Sequence, residues 1–191
     1  DMLNRCTEAL VQHLGVAFAR IWTLNPTENV LELRASAGMY THLDGPHGRV
    51  PVGTFKIGLI AEERKPHLTN AVIGDPRVSD QEWARREGMV AFAGYPLVVD
   101  NRLIGVMAMF ARTALGEATL QALASVASSI ALGVDRKRAE EVEHALARKF
   151  ERSPGFWGRL TSDRRVYCVA VQAALAEHAA AGNLVYHGLA G

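Results

Sequence analysis

Cysteine is scarce in this sequence. Cys6 and Cys168 are the only two, and they lie far apart in the chain. That excludes a disulfide framework and any closely spaced thiolate metal site, and it makes a reducing, cytoplasmic setting the expectation. Charge of one sign is missing too. Lys and Arg number 21 against 20 Asp and Glu, for a net charge of +1. No electrostatic footprint for nucleic acid or an anionic membrane surface follows from that balance. No apolar run approaches the roughly 20 residues of a bilayer span. No signal peptide is visible, and Asp1 is not a natural start, so the chain reads as excised from something longer. Three motifs are absent: the Gly-x-Ser-x-Gly elbow, the His-Glu-x-x-His metal motif and the Gly-x-x-x-x-Gly-Lys-Ser/Thr phosphate loop. The expectation is a fragment without enzymatic activity.

What is present begins with residues 88–112. Val90, Phe92, Tyr95, Leu97, Val98 and Val99 form one apolar run, and Leu103, Ile104, Val106, Met107, Met109 and Phe110 form another. Asp100-Asn101 separates them, and both residue types tolerate the positive φ of a two-residue hairpin turn. The second run is apolar at consecutive positions, which predicts a strand covered on both faces. At 49% hydrophobic and 21% charged residues, the chain has the make-up of a globular protein with its own core.

In order, Leu3, Cys6, Leu10 and Leu14 put one apolar stripe on a helix over 1–14, stopped by Gly15. A strand over 16–24 carries Phe18, Arg20 and Trp22 on one side and Ala19, Ile21 and Thr23 on the other. A turn at 25–29 leads to a strand over 30–37, where Leu31, Leu33 and Ala35 alternate with Glu32 and Arg34. Residues 38–54 hold four glycines, two prolines and two histidines and read as loop, with a short extended piece at 49–53. A short helix over 55–64 ends at Lys65-Pro66. A short strand at 67–70 follows, then an Asp75-Pro76 turn. Ser79 or Asp80 caps a helix over 81–87, with Glu82 placed for a capping box with Ser79.

From Glu117 to about Lys149 the chain reads as one long helix. Leu120, Leu123, Val126, Ala127, Ile130, Leu132 and Val134 supply a broad apolar face to its first half. Its second half is charged and leaves only the stripe Ala139, Val142, Leu146 and Phe150. Such a stripe suits a two-helix contact, and equally a solvated helix end. Ser153-Pro154-Gly155 breaks the helix. The rest, with a helix over 166–181 and a strand start at Leu184, is too short for a core and reads as the truncated start of a following domain over 153–191.

Several stretches together resemble the GAF sensory domain, of the kind found in bacterial sensor kinases. They are Gly58-Leu59-Ile60-Ala61-Glu62-Glu63-Arg64-Lys65-Pro66, Asp75-Pro76-Arg77-Val78, Glu87-Gly88 and Gly94-Tyr95-Pro96-Leu97-Val98-Val99-Asp100. Leu103-Ile104-Gly105-Val106-Met107 and Leu123-Ala124-Ser125-Val126-Ala127-Ser128-Ser129-Ile130-Ala131 complete the set. They span residues 1–136, and 137–152 resembles the helical signalling linker that follows such domains. The resemblance implies an α+β fold, related to PAS domains, with an antiparallel sheet of five or six strands. It places the terminal helices on one face, where they often form a dimer, and the crossover 38–87 on the other, over a ligand pocket. The tail, through Gly182-Asn183-Leu184-Val185-Tyr186-His187-Gly188, faintly resembles cytidylate-kinase-like proteins.

The resemblance makes the chain a small-molecule-sensing regulatory module that relays its state through the last helix. A ligand-free structural dimerisation module and the regulatory front end of a nucleotide kinase are the alternatives. The crossover has no cysteine, so covalent bilin attachment is not expected, and the Asn-Lys-Phe-Asp-Glu signature of cyclic-nucleotide-binding relatives is absent. The ligand is left unnamed. Trp22, Phe92, Tyr95 and Met107 are the expected pocket walls, and His67, Arg77 and Trp83 the expected orienting groups, with Arg77 aimed at an anion. His42, Asp44 and His47 share a glycine-rich loop and read as mobile polar residues rather than a metal site. His144 lacks the setting of a phosphoacceptor and reads as solvent-facing.

Overall fold

The computed structural model describes residues 2–151. The expected following domain at 153–191 lies outside the described residues. The chain divides into two units, with the boundary between Asp135 and Arg136. The first unit holds α1 (Met2–Leu14), β1 (Phe18–Asn25), β2 (Val30–Gly38), β3 (Arg49–Pro51), α2 (Phe55–Glu63), β4 (His67–Thr69), α3 (Gln81–Arg86), β5 (Ala91–Val99) and β6 (Arg102–Ala111). The last helix, α4 (Glu117–Glu151), begins in the first unit and continues into the second. Six strands form one antiparallel sheet in the order β3-β2-β1-β6-β5-β4.

β1 and β6 are the middle of that sheet, and the β5–β6 hairpin runs from there toward the β4 edge. Its turn residues Asp100 and Asn101 both take positive φ, 46° and 64°, as a turn matched to the strand twist requires. Gly105 in β6 lies against β1 so closely that an added Cβ would stand 2.0 Å from the Trp22 carbonyl oxygen. That closeness lets Trp22 pair with Val106 and Thr23 with Gly105.

Each strand sends alternate side chains to opposite faces. One face carries Ala19, Ile21, Ala93, Tyr95, Leu97, Met107 and Met109. Leu3 and Leu10 of α1 pack there, with Leu123, Ala127, Ile130, Ala131 and Val134 of α4. Gly133 lets α1 approach, since a Cβ there would meet the Met2 Sδ at 3.0 Å. Arg102, just after the hairpin turn, reaches both carboxylate oxygens of Asp135 at 3.2 Å and pins α4 to the sheet.

Three expectations are corrected here. Val126 and Leu132 are exposed, Leu132 to 59%; they fall outside the 123–127–130–134 stripe that meets the sheet. Leu31 and Leu33 do not share a face with Ala35. A bulge opposite Ile21 and Trp22 inserts Arg34 as an extra residue, so alternation switches sides there. Of the two expected caps, Asp80 is the one that caps α3, its carboxylate accepting the Trp83 N–H at 2.8 Å. That moves Glu82 out of capping-box register. By length and composition alone, the stretch Glu117–Arg148 of α4 is long and apolar enough to cross a membrane; its stripe at Leu123, Ala127, Ile130 and Val134 is buried on the sheet. In the second unit Ala139 is exposed and Val142 and Leu146 are half-buried; the side chain of Phe150 lies outside the described residues.

Candidate functional site

The other face of the sheet is built in rows across three strands. Phe18, Phe110 and Phe92 sit side by side on β1, β6 and β5. Their rings contact in sequence, 5.4 Å from Phe18 to Phe110 and 4.8 Å from Phe110 to Phe92. The next row is Arg20, Ala108 and Gly94, and the third is Trp22, Val106 and Pro96. The middle row is short everywhere but at Arg20. The Ile60 methyl of α2 fills the space over Gly94, where a Cβ would meet it at 2.5 Å, and the space over Ala108 stays open.

That opening is a cavity of about 290 Å³. Its floor is the sheet, and its walls come from the 39–48 loop, the start of α2, the turn at 77–80 and Trp83 of α3. Two indole hydrogen bonds hold its walls, one from the sheet to the crossover and one within the crossover. Trp22 donates Nε1–H to the His47 carbonyl at 2.8 Å, and Trp83 donates Nε1–H to the Tyr40 hydroxyl at 2.9 Å. Trp83 also stands edge-on to Phe110 at 5.2 Å. Both tryptophans are therefore pinned walls, with their polar edges satisfied by the protein itself.

Three cationic side chains border this space. Lys56 is buried; its ammonium donates to Asp75 Oδ2 at 2.8 Å and stands 3.9 Å from the centre of the Phe92 ring. Burial lowers the Lys56 pKa, against the hydrogen bond and charge of Asp75. His67 Nε2 meets the same Asp75 oxygen at 2.8 Å. Burial alone would raise the Asp75 pKa, but hydrogen bonds from His67, Lys56 and the Arg77 N–H hold it at about 2. Arg77 forms a two-pronged pair with Glu63, at 2.9 and 3.1 Å.

Arg20 is different. It is 6% exposed. Its Nε donates to Ser36 Oγ at 3.1 Å, and its guanidinium lies 5.6 and 5.4 Å from the Phe18 and Tyr40 ring centres. Among the described residues no carboxylate forms an ion pair with it. Burial lowers its pKa, against the nearby Tyr40, yet a guanidinium stays charged. Arg20 in turn helps burial lower the His47 pKa. The site is thus an aromatic chamber with one buried cation that the protein does not neutralise.

Trp22, Arg77, Trp83 and Phe92 line the cavity. Tyr95 and Met107 do not. They pair with each other across the hairpin and belong to the core under the terminal helices, where the Tyr95 hydroxyl donates to the Leu120 carbonyl at 2.8 Å. The reason is strand parity: Tyr95 is three residues from Phe92, and Met107 three from Phe110, so each pair straddles the sheet. His67 sits behind the wall as a partner of Asp75, outside the cavity lining. The Arg77 guanidinium is taken up by Glu63, which leaves Arg20 as the cavity-lining cation without a carboxylate partner among the described residues. Arg20 and Lys56 carry a signal in the sequence: each is a charge set among apolar positions, Arg20 between Phe18 and Trp22 and Lys56 one turn before Ile60. Cys6 packs on the helix side of the sheet.

The fold and cavity define a class first: an α+β domain whose antiparallel sheet carries paired terminal helices on one face and a crossover-covered chamber on the other. The GAF domain family model matches residues 1–135, and the chain belongs to that family. Membership marks it as a regulatory or ligand-binding module. Among solved structures, the GAF domain of a Coxiella burnetii phosphoenolpyruvate-protein phosphotransferase is similar at 18% identity and a TM-score of 0.65, over 73% of this chain and 84% of that one. The corresponding Acinetobacter domain matches at 16% identity and 0.61, over 73% and 83%. A free methionine-R-sulfoxide reductase from Neisseria meningitidis, in complex with its substrate, matches at 17% and 0.57, over 71% and 78%. At these identities the likeness shows the fold alone. A search of curated proteins found no significant match. The reductases correct one expectation. They are enzymes built on this fold, so the reading of a chain without enzymatic activity loses its ground.

Proposed function

We propose that the chain is a sensing module that takes up a small organic molecule between the sheet and the crossover and relays occupancy through α4. The observation that supports it is the cavity of about 290 Å³, near the lower end of ordinary ligand sites, with walls held in place by hydrogen bonds from Trp22 and Trp83. A relay requires the ligand to favour one of two arrangements, not merely to bind tightly. Homodimerisation through the terminal helices belongs to the same proposal, on the strength of the stripe Ala139, Val142, Leu146 and Phe150. The sensor-kinase setting and the cytidylate-kinase-like tail gain no support from the similar proteins and are left out of it.

Native mass spectrometry of the freshly purified chain tests both parts. The wild type is expected to retain a small molecule and to run as a dimer. Ala108→Trp, which fills the chamber from its floor, is expected to lose the molecule while keeping the fold by circular dichroism. A wild type that carries no molecule in any preparation overturns the binding, as does equal retention by folded Ala108→Trp. A monomer alone overturns the dimer.

A further inference from the structure

We infer that the chamber is built for a planar aromatic carboxylate, with Arg20 as its anion anchor; the inference rests on the ligand-binding reading above. Two observations carry it. The first is charge. Arg20 is 94% buried by area, being 6% exposed, and an arginine cannot shed its proton to escape burial. Its single hydrogen bond within the described residues uses Nε, toward Ser36. The two terminal nitrogens, four N–H groups in one plane, stay free of protein acceptors there, and that fork matches a carboxylate two-prong. The ring faces of Phe18 and Tyr40 offset only part of the burial of such a charge. The other cations at the cavity are already matched, Lys56 by Asp75 and Arg77 by Glu63. Two carboxylates, Asp44 and Asp80, also line the cavity and pair with none of its cations, so the lining suits an anion of one charge, a carboxylate, over a doubly charged phosphate.

The second observation is shape. The chamber is walled by Phe18, Trp22, Tyr40, Trp83, Phe92 and Phe110. Phe92 and Trp83 meet Phe110 edge-on or steeply tilted, at 61° and 84°. Rings so disposed accept a further ring face or edge in the same pattern. The volume is about twice that of an apolar cavity of about 150 Å³ known to hold benzene, which leaves room for one or two fused rings and a short acidic arm.

Isothermal titration of the full chain with five probes tests this: benzoate and indole-3-acetate, their neutral isosteres benzamide and indole-3-acetamide, and the aliphatic hexanoate. The aromatic carboxylates are expected to bind the wild type roughly tenfold or more tightly than the amides, the scale of a charge-assisted hydrogen-bond pair, and more tightly than hexanoate. Arg20→Gln should erase the carboxylate preference and Arg20→Lys should restore part of it. Equal binding of acid and amide by the wild type overturns the anion anchor whatever the variants do. A preference undiminished in folded Arg20→Gln overturns Arg20 as its source. Hexanoate binding as well as indole-3-acetate overturns the aromatic class. A wild type that binds none of the five, yet retains a molecule in the native spectrum, overturns this inference and leaves the ligand-binding reading standing.

Discussion

Gly105→Ala is expected to lower the melting temperature by roughly 6–12 °C. The added methyl would stand 2.0 Å from the Trp22 carbonyl oxygen and 3.0 Å from Thr23 Cα. Neither is the end of a flexible side chain; both belong to β1, the strand that pairs with β6 over residues 18–23. Relief requires parting two strands at the middle of the sheet, so the cost falls at the upper end of the range for an overpacked core, about 3 kcal/mol. For a chain of this size each kcal/mol moves the midpoint by about 2–4 °C. Gly116→Ala is the control, because nothing lies within 4 Å of a Cβ there, and its melting point should hardly move. A Gly105→Ala protein that melts with the wild type in differential scanning calorimetry would mean the two strands are not packed as described.

Asp75→Asn should be comparably damaging, by about 3 kcal/mol, and should change the response to acid. Asp75 is 9% exposed, and its carboxylate accepts from Lys56, His67 and the Arg77 N–H. Removing one partner of a buried pair leaves the other charge without compensation, which typically costs about 3–5 kcal/mol. Lys56 can release its proton, and burial already lowers its pKa, which keeps the effect near the lower bound. Asp75 has a folded pKa of about 2, below its ordinary 3.8. Between those values the unfolded chain binds more protons than the folded one, so the contribution is complete above about pH 4 and disappears as pH falls through about 2. It amounts to roughly 2 kcal/mol. Urea unfolding midpoints of the wild type should therefore fall over this interval more steeply than those of Asp75→Asn. Parallel pH profiles would show that Asp75 is not held by this network.

Most of the fold is legible in the residues because it is written in local chemistry. Gly15, Gly88 and the Asp100-Asn101 pair take the positive φ their positions demand, and the consecutive apolar residues of β6 end up covered on both faces. The chamber is less legible because residue type is weaker than parity. By type, Phe92 and Tyr95 are equal as walls; their spacing of three sends one to the chamber and the other to the helix core. Parity itself fails in β2, where the bulge at Arg34 turns Ala35 away from Leu33, and no residue there announces it. Arg20 is the most instructive case. An aromatic on an interior strand is ordinary core, whereas a charge between two aromatics on such a strand demands a partner. The pairing of Arg77 with Glu63 depends on how α2 meets the 75–80 turn, which no local pattern encodes.

Binding on the crossover side of the sheet is tested most directly by the ¹H–¹⁵N spectrum of the labelled chain during addition of indole-3-acetate. The backbone amides of Arg20, Tyr40, Lys56 and Ala108 and the indole N–H signals of Trp22 and Trp83 are expected to shift together and saturably. Those of Leu10, Tyr95 and Ile130, beneath the terminal helices, should move far less. Shifts centred on that helical side, or a spectrum unchanged around Arg20 at saturating ligand, would contradict a chamber under the crossover.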